Sequence, residues 1–274
     1  VAIVVVVWYA GALWLNFDLA ANLGDEDATN WDIAAATMQM DRPLLPAPHQ
    51  VIVELFDSVF LYPVDSVKSL VYHASVTALA AGLGFLIALV LGIALAVGIV
   101  HVRTLDRSLM LWIIASQTIP VLAIAPMVVV VLGNIGFTGL LPKSLIAGYL
   151  SFFPIATGMV KGLRSPDPMQ RDLMRTYSAT GAQIFVLLRW PASMAFLFPS
   201  LKVAASLSLA GAIVAELPTG AQAGLGARLL TGSYYGQTLQ IWAALFAASL
   251  LALLAIAAVD LAQAALVRRR GGRL

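Results

Sequence analysis

Apolar runs punctuate the sequence at residues 1–15, 74–100, 109–132, 144–160, 196–215 and 241–267. Crossing about 30 Å of hydrocarbon takes roughly 20 mainly apolar residues in a helix. The pattern predicts an all-α membrane protein with six transmembrane helices in a single domain. The first run, VAIVVVVWYAGALWL, is short and has neither a starting methionine nor basic residues ahead of it. It reads as the inner part of a longer helix, with a signal-peptide core as the alternative.

Inside the spans, Gly82, Gly84, Gly92 and Gly98 sit among alanines, a composition that lets membrane helices approach closely. Pro120 and Pro126 fall near the middle of the third span, and each removes a backbone donor. A bend is the plain reading; the functional one is that freed carbonyls and Gln117 line a cavity. Between the first two spans, Val51, Val53, Leu55, Val59 and Phe60 give one apolar side to a helix expected to lie along the membrane face. Residues 218–238, rich in glycine and polar groups, are expected to form a re-entrant or capping loop, or a plain external one.

Composition agrees with the pattern: 61% of residues are hydrophobic, mean hydropathy is +0.91, and only 11% are charged, against about 25% in soluble domains. The chain has no cysteine, which excludes disulfides, thiolate metal sites and thiol nucleophiles. His49, His73 and His101 are far apart in sequence and form no H-x-x-x-H pair, so no metal site is expected. The net charge of +2 and pI near 9.0 do not point to nucleic acid, because the cations sit in connectors between spans.

The connector after the first span holds Asp18, Asp25, Glu26, Asp27, Asp32, Asp41, Glu54, Asp57 and Asp65 against Arg42 and Lys68. The next holds His101, Arg103 and Arg107; the one after the fourth span holds Lys161, Arg164, Arg171, Arg175 and Arg189; the tail holds Arg268, Arg269, Arg270 and Arg273. By the positive-inside rule the last three face the cytoplasm, and both termini with them. The connector after the first span then faces outward, and the remaining short connectors carry only Lys143 and Arg228.

Few polar groups interrupt the spans themselves. Glu216, near the outer end of the fifth span, is expected to face the protein interior or a watery cavity, the alternative being a helix-end carboxylate reaching solvent. Lys202 either supplies positive charge near a translocation route or snorkels to the interface. Ser206 and Ser208 face the route or bond their own helix. Asp260, two turns before Arg268, reads as an interfacial ion partner.

The polar stretch RDLMRTYSATGAQIFVLLRWP, 171–191, lies between two apolar runs. Its pattern predicts a short amphipathic helix, a turn near 178–181 and a second helix stopped or kinked at Pro191. Burying Arg171, Asp172 and Arg175 would be too costly, so solvent or a partner must meet them.

This stretch resembles a pattern in the inner-membrane permease subunits of ABC importers, in the branch handling nitrate, sulfonates, taurine and related small organic compounds. That pattern runs Glu-Ala-Ala, three residues, Gly, nine residues, Ile, one residue, Leu-Pro. Without a gap, Asp172 falls on the Glu, Leu173 and Met174 on the alanines, Ser178 on the Gly, Leu188 on the Ile, and Trp190 and Pro191 on Leu-Pro. The acid, the small residue and the proline are kept, while the alanines and the glycine are not. The resemblance extends over LLPAPHQVIVEL, HASVTALAAGLGFLIALVLGIALAVGI and FLFPSLKVAASLSLAGAIVAEL, and so over nearly the whole chain.

The resemblance implies a type I ABC importer permease fold, with 161–191 as a cytoplasmic coupling helix and its connections, in a bacterial inner membrane. It implies coupling through Asp172, Leu173, Met174, Ser178, Leu188, Trp190 and Pro191, with the exposed charges Arg171 and Arg175 beside them; the reading of the spans adds a pathway or gate that includes Gln117, Pro120, Lys202, Ser206, Ser208 and Glu216, the family often carrying an acid at the last of these. The partners implied are a second permease subunit, identical or paralogous, two ATPase subunits holding ATP and magnesium, an external substrate-binding protein and the lipid bilayer. No cofactor is expected on this chain. It has no G-x-x-x-x-G-K-[ST] phosphate loop, and Lys143-Ser144 in GLLPKS lacks the glycine frame. The chain is therefore expected to be a permease subunit, with catalysis on a separate chain. The alternatives are an ion-driven secondary transporter, for which no internal repeat is seen, and a non-transporting scaffold. For the solute, 216–237 leans toward a pyrimidine-like heterocycle or vitamin precursor, and Lys202 toward a nitrate or sulfonate anion.

Overall fold

The computed structural model describes residues 2–23, 29–217 and 223–269. Val1, Asp25, Glu26, Asp27, residues 218–222, Arg270 and Arg273, all used in the sequence reading, lie outside the described residues.

All regular elements among the described residues are helical: α1 (Ala2–Leu23), α2 (Asn30–Thr37), α3 (Pro48–Phe56), α4 (Leu70–His101), α5 (Arg103–Ser116), α6 (Val121–Asn134), α7 (Leu140–Arg164), α8 (Pro168–Thr176), α9 (Gly181–Ile184), α10 (Trp190–Glu216), α11 (Leu225–Tyr234) and α12 (Thr238–Arg269). Wide π-type turns at Asp57–Leu61 and Phe185–Arg189 extend α3 and join α9 to α10. Five helical stretches are long and apolar enough to cross a membrane, and the α5–α6 pair makes a sixth if it counts as one span.

Two sequence expectations are corrected, and the bend expected in the third span is found as a full break. The first span is a 22-residue helix, longer than the 15-residue run, because polar Asn16 and Asp18 are absorbed into it. The third span is broken, with α5 and α6 meeting at 98°. The break falls at 117–120, and Pro126 lies inside α6. Pro120 has no N–H to offer Ser116 four residues earlier, and the Tyr149 hydroxyl donates to that Ser116 carbonyl in its place. At the other corrected site, Pro191 does not stop its helix, since Gly181–Glu216 counts as one span. The preceding π-type turn is the reason: Trp190 N–H reaches back five residues to the Phe185 carbonyl, loosening the turn into which the proline ring would otherwise press.

The chain divides into two compact units, one within Val1–Val76 and Gly220–Leu250, the other within Thr77–Thr219 and Leu251–Leu274. In the first, Asn16 is fully buried and acts as a clip. Its Nδ2 donates to the carbonyls of Ala12 (2.7 Å) and Leu45 (2.8 Å), while its Oδ1 accepts from Leu44 N–H (2.6 Å). Trp8 donates to the Pro46 carbonyl and packs against Trp242 at 4.9 Å between ring centroids. The capping box of α2 holds the Asp32 carboxyl below its ordinary pKa, through hydrogen bonds from the Thr29 hydroxyl and backbone N–H. His73 accepts from Gly224 N–H at 3.0 Å, fixing the entry to α11, where an irregular loop was expected.

In the second unit α7 and α10 form the centre, with Ile155, Met159, Leu163 and Ala204 at most 1% exposed. α4 packs on α7 so closely that a Cβ on Gly84 would stand 2.6 Å from both Ala147 Cβ and the Ser144 carbonyl oxygen. Small residues permit this approach, as expected of helices in lipid.

Candidate functional site

Two assemblies in the second unit carry the polar chemistry. The first is α8 and the turn that follows. Asp167 caps α8 by accepting from Met169 N–H at 2.9 Å, and Gln170 Oε1 accepts in return from Asp167 N–H at 3.2 Å. Pro168 fills the first helical turn, where no donor is needed. No residue of α8 is buried, and Met169, Leu173 and Tyr177 are 80%, 57% and 80% exposed. Asp172 accepts from Arg175 at 3.1 Å across one turn, in solvent.

The helix ends in a Schellman arrangement, with Ala179 N–H reaching the Met174 carbonyl at 3.0 Å and Ser178 N–H reaching the Arg175 carbonyl at 2.9 Å. Ser178 takes the left-handed position at φ +56°, where glycine is the usual occupant. This is the position that falls on the glycine of the shared permease pattern, so the turn keeps its geometry after losing its usual residue. Thr180 then caps α9 through a reciprocal pair with Gln183. Leu188 lies in the π-type turn, and Trp190 and Pro191 open α10.

The second assembly is buried. Glu216, the last residue of α10, is 0% exposed, and Lys143, in the first turn of α7, is 8% exposed. Lys143 Nζ lies 3.4 Å from Glu216 Oε1, and Thr77 Oγ1 of α4 lies 3.0 Å from each carboxylate oxygen. A carboxylate at the C-terminal end of a helix meets the negative end of the helix dipole. The Lys143 ammonium and the Thr77 hydroxyl give that carboxylate polar partners where water is excluded. Three helices converge on one carboxylate.

Other residues assigned to the pathway do not join this cluster. Gln117 and Pro120 are exposed at the α5–α6 break. Lys202 forms an ion pair with Asp260 of α12, which gives Asp260 the ion-partner role read from the sequence. Ser206 bonds its own helix at the Lys202 carbonyl (3.3 Å), whereas Ser208 crosses to the Ala81 carbonyl of α4 at 2.6 Å. Sequence reasoning missed Thr77 and Lys143. Lys143 had been placed in a connector because the apolar run starts at 144, but the helix begins at Leu140. One signal was available: a lone lysine and a lone glutamate flank otherwise apolar spans, and such charges need partners.

The profile of the family described as binding-protein-dependent transport system inner membrane component matches residues 88–272. The formylaminopyrimidine transport permease protein ThiX of Halalkalibacterium halodurans is 31% identical over 234 residues, covering 84% of this chain and 86% of that protein. A probable ABC transporter permease protein of Haemophilus influenzae is 28% identical over 72% of this chain and 75% of its own length. The riboflavin transport system permease protein RibX of Chloroflexus aurantiacus is 32% identical over 61% of each.

Proposed function

The chain belongs to the binding-protein-dependent transport system inner membrane components, the permeases of ABC importers, and from that membership we propose that it forms the membrane pathway of an ATP-driven importer for a nitrogen heterocycle. As a member it is a multi-pass inner-membrane protein that transports a small solute. The observation that carries the rest is α8, a capped helix with no buried residue, tethered at both ends to long spans. A separate ATPase with its ATP and magnesium docks there, against Met169, Leu173 and Tyr177 and the residues from Arg171 to Pro191 that match the coupling pattern. α8 and both termini then face the cytoplasm. ATP-driven closure of two such ATPases displaces α8, and α7 and α10 carry the displacement to the buried Glu216 cluster, biasing two states of the pathway. A second permease, identical or paralogous, completes the pathway, and an external binding protein delivers the solute.

Two relatives are named for formylaminopyrimidine and riboflavin, both nitrogen heterocycles, which supports that class over nitrate or sulfonate. The ion pair of Lys202 with Asp260 supports it too, since the charge that favoured an anion is already met. In proteoliposomes holding the permease, its ATPase and its binding protein, formylaminopyrimidine uptake should require ATP and persist with an uncoupler. Uptake driven by an ion gradient without ATP would overturn the reading, and so would no uptake at all.

A further inference from the structure

The first unit contains a polar cleft that neither α8 nor the Glu216 cluster uses. It measures about 440 Å³, within the range of small-molecule sites. Glu54 and Asp57 stand on one side, from α3 and the π-type turn after it. Arg228 of α11 stands on another, and Gln237 and Gln240 come from the start of α12. Tyr62 closes one edge, with Lys68 Nζ 5.8 Å from the centre of its ring.

Two features set this cleft apart from ordinary wet surface. Gln240 Oε1 is enclosed and accepts no hydrogen bond, which leaves a buried acceptor unsatisfied. Arg228 is half-buried, and none of the ion pairs among the described residues includes it; its Nη2 donates to the Lys68 carbonyl at 3.3 Å. Burial pulls the Arg228 pKa below its ordinary value despite the opposing fields of Glu54 and Tyr62. Glu54 and Asp57 balance Lys68 and Arg228 in formal charge. A balanced site gives no advantage to a nitrate or sulfonate, but it offers carboxylate acceptors to amino groups and guanidinium and amide donors to carbonyls or ring nitrogens.

We propose that this cleft is a solute site of the permease itself, taking a small uncharged heterocycle that bears both amino and acceptor groups. The Gln240 side chain turns into the cleft so that its Oε1 gains an N–H of the solute, an exocyclic amino group meets Glu54 or Asp57, and a ring nitrogen or carbonyl accepts from Arg228. The solute class rests on the function proposed above, while the cleft stands on its own geometry.

The test uses the permease–ATPase complex in nanodiscs without the binding protein, and equilibrium dialysis with labelled formylaminopyrimidine, cytosine and taurine. Saturable binding of the heterocycles and none of taurine is expected. Gln240→Leu and Glu54→Gln should each weaken binding roughly tenfold or more, because each removes one hydrogen bond to an enclosed or charged group. No saturable binding of either heterocycle, or binding indifferent to both substitutions, overturns the proposal. In a parallel pull-down with the binding protein added, substitutions that reduce its capture while leaving heterocycle binding intact also overturn it, making the cleft a protein-docking face. Uptake by the complete importer separates the two readings: uptake without permease binding removes the cleft and keeps the function, whereas binding without uptake does the reverse.

Discussion

Lys143 and Glu216 meet at 3.4 Å with the carboxylate fully enclosed, whereas Arg175 and Asp172 meet at 3.1 Å with side chains 71% and 67% exposed. The distances are similar and the physics is not. Water screens the exposed pair and competes for both partners, so its contribution is about 0–1 kcal/mol. The buried pair has lost its water, and either partner left alone would be an uncompensated charge in a low-dielectric interior. The exposed pair therefore leaves α8 free to exchange its contacts, while the buried pair holds α4, α7 and α10 in one arrangement. In the function proposed above, the exposed region engages a partner at little cost and the buried one is the junction that passes between two discrete arrangements.

Breaking the buried side should give the largest effect. Glu216→Ala takes the carboxylate away from both Lys143 and Thr77 and should destabilise the protein by about 3–5 kcal/mol, read as a lower melting temperature in detergent. The paired replacement Lys143→Met with Glu216→Leu should recover most of that loss, since a well-packed apolar pair can match a buried ion pair. A Glu216→Ala protein that melts with the wild type would show the carboxylate to be solvated and end the contrast.

The next effect tests how tightly α4, which carries Thr77, is held to α7, which carries Lys143. Gly84→Ala sets a methyl 2.6 Å from Ala147 Cβ and from a backbone oxygen, so it should cost about 1–3 kcal/mol through overpacking. Gly82→Ala, two residues earlier, meets nothing within 4 Å, and should be neutral or stabilising by up to about 1 kcal/mol. Equal melting temperatures for the two variants would mean that the close approach does not exist.

This glycine pair also shows how far the sequence alone reaches. The small-residue pattern predicted close packing, but it treated Gly82 and Gly84 alike, because a one-dimensional pattern does not say which side of a helix meets a neighbour. Spans were legible wherever apolar runs were long, and Pro120 announced the bend in the third, although its size, 98°, leaves no mark in composition. α8 was legible from its charges and its spacing. The Glu216 cluster was only half legible: the lone acid was visible, but its partners come from residues 77 and 143, and contacts so distant in sequence leave no local periodicity. Helix α11 was hidden by its glycines, which suggest a loop until His73 and Gly224 are seen to anchor its start.

On the exposed side, Ser178→Gly should sharpen the contrast. A non-glycine residue at φ +56° costs about 1 kcal/mol, and glycine relieves it. The variant should melt slightly higher, with stronger hydrogen-exchange protection at the Ala179 amide that closes the turn. Weaker protection would show that Ser178 holds the turn by means other than backbone geometry.

The smallest change in stability should come from Asp172→Lys, which exchanges the exposed pair for a repulsion. Both side chains are open to solvent, so screening limits the effect to about 0.5 kcal/mol, a melting shift near the limit of detection. Its effect on transport should be far out of proportion, because a docking face depends on the sign of its charges as a folded core does not. Reconstituted with its ATPase, the variant should hydrolyse ATP at close to the basal rate and lose the uptake coupled to it. If Asp172→Lys instead destabilises the protein as strongly as Glu216→Ala while uptake per folded molecule is unchanged, then α8 is part of the folded framework, and the division of labour between the two ion pairs is wrong.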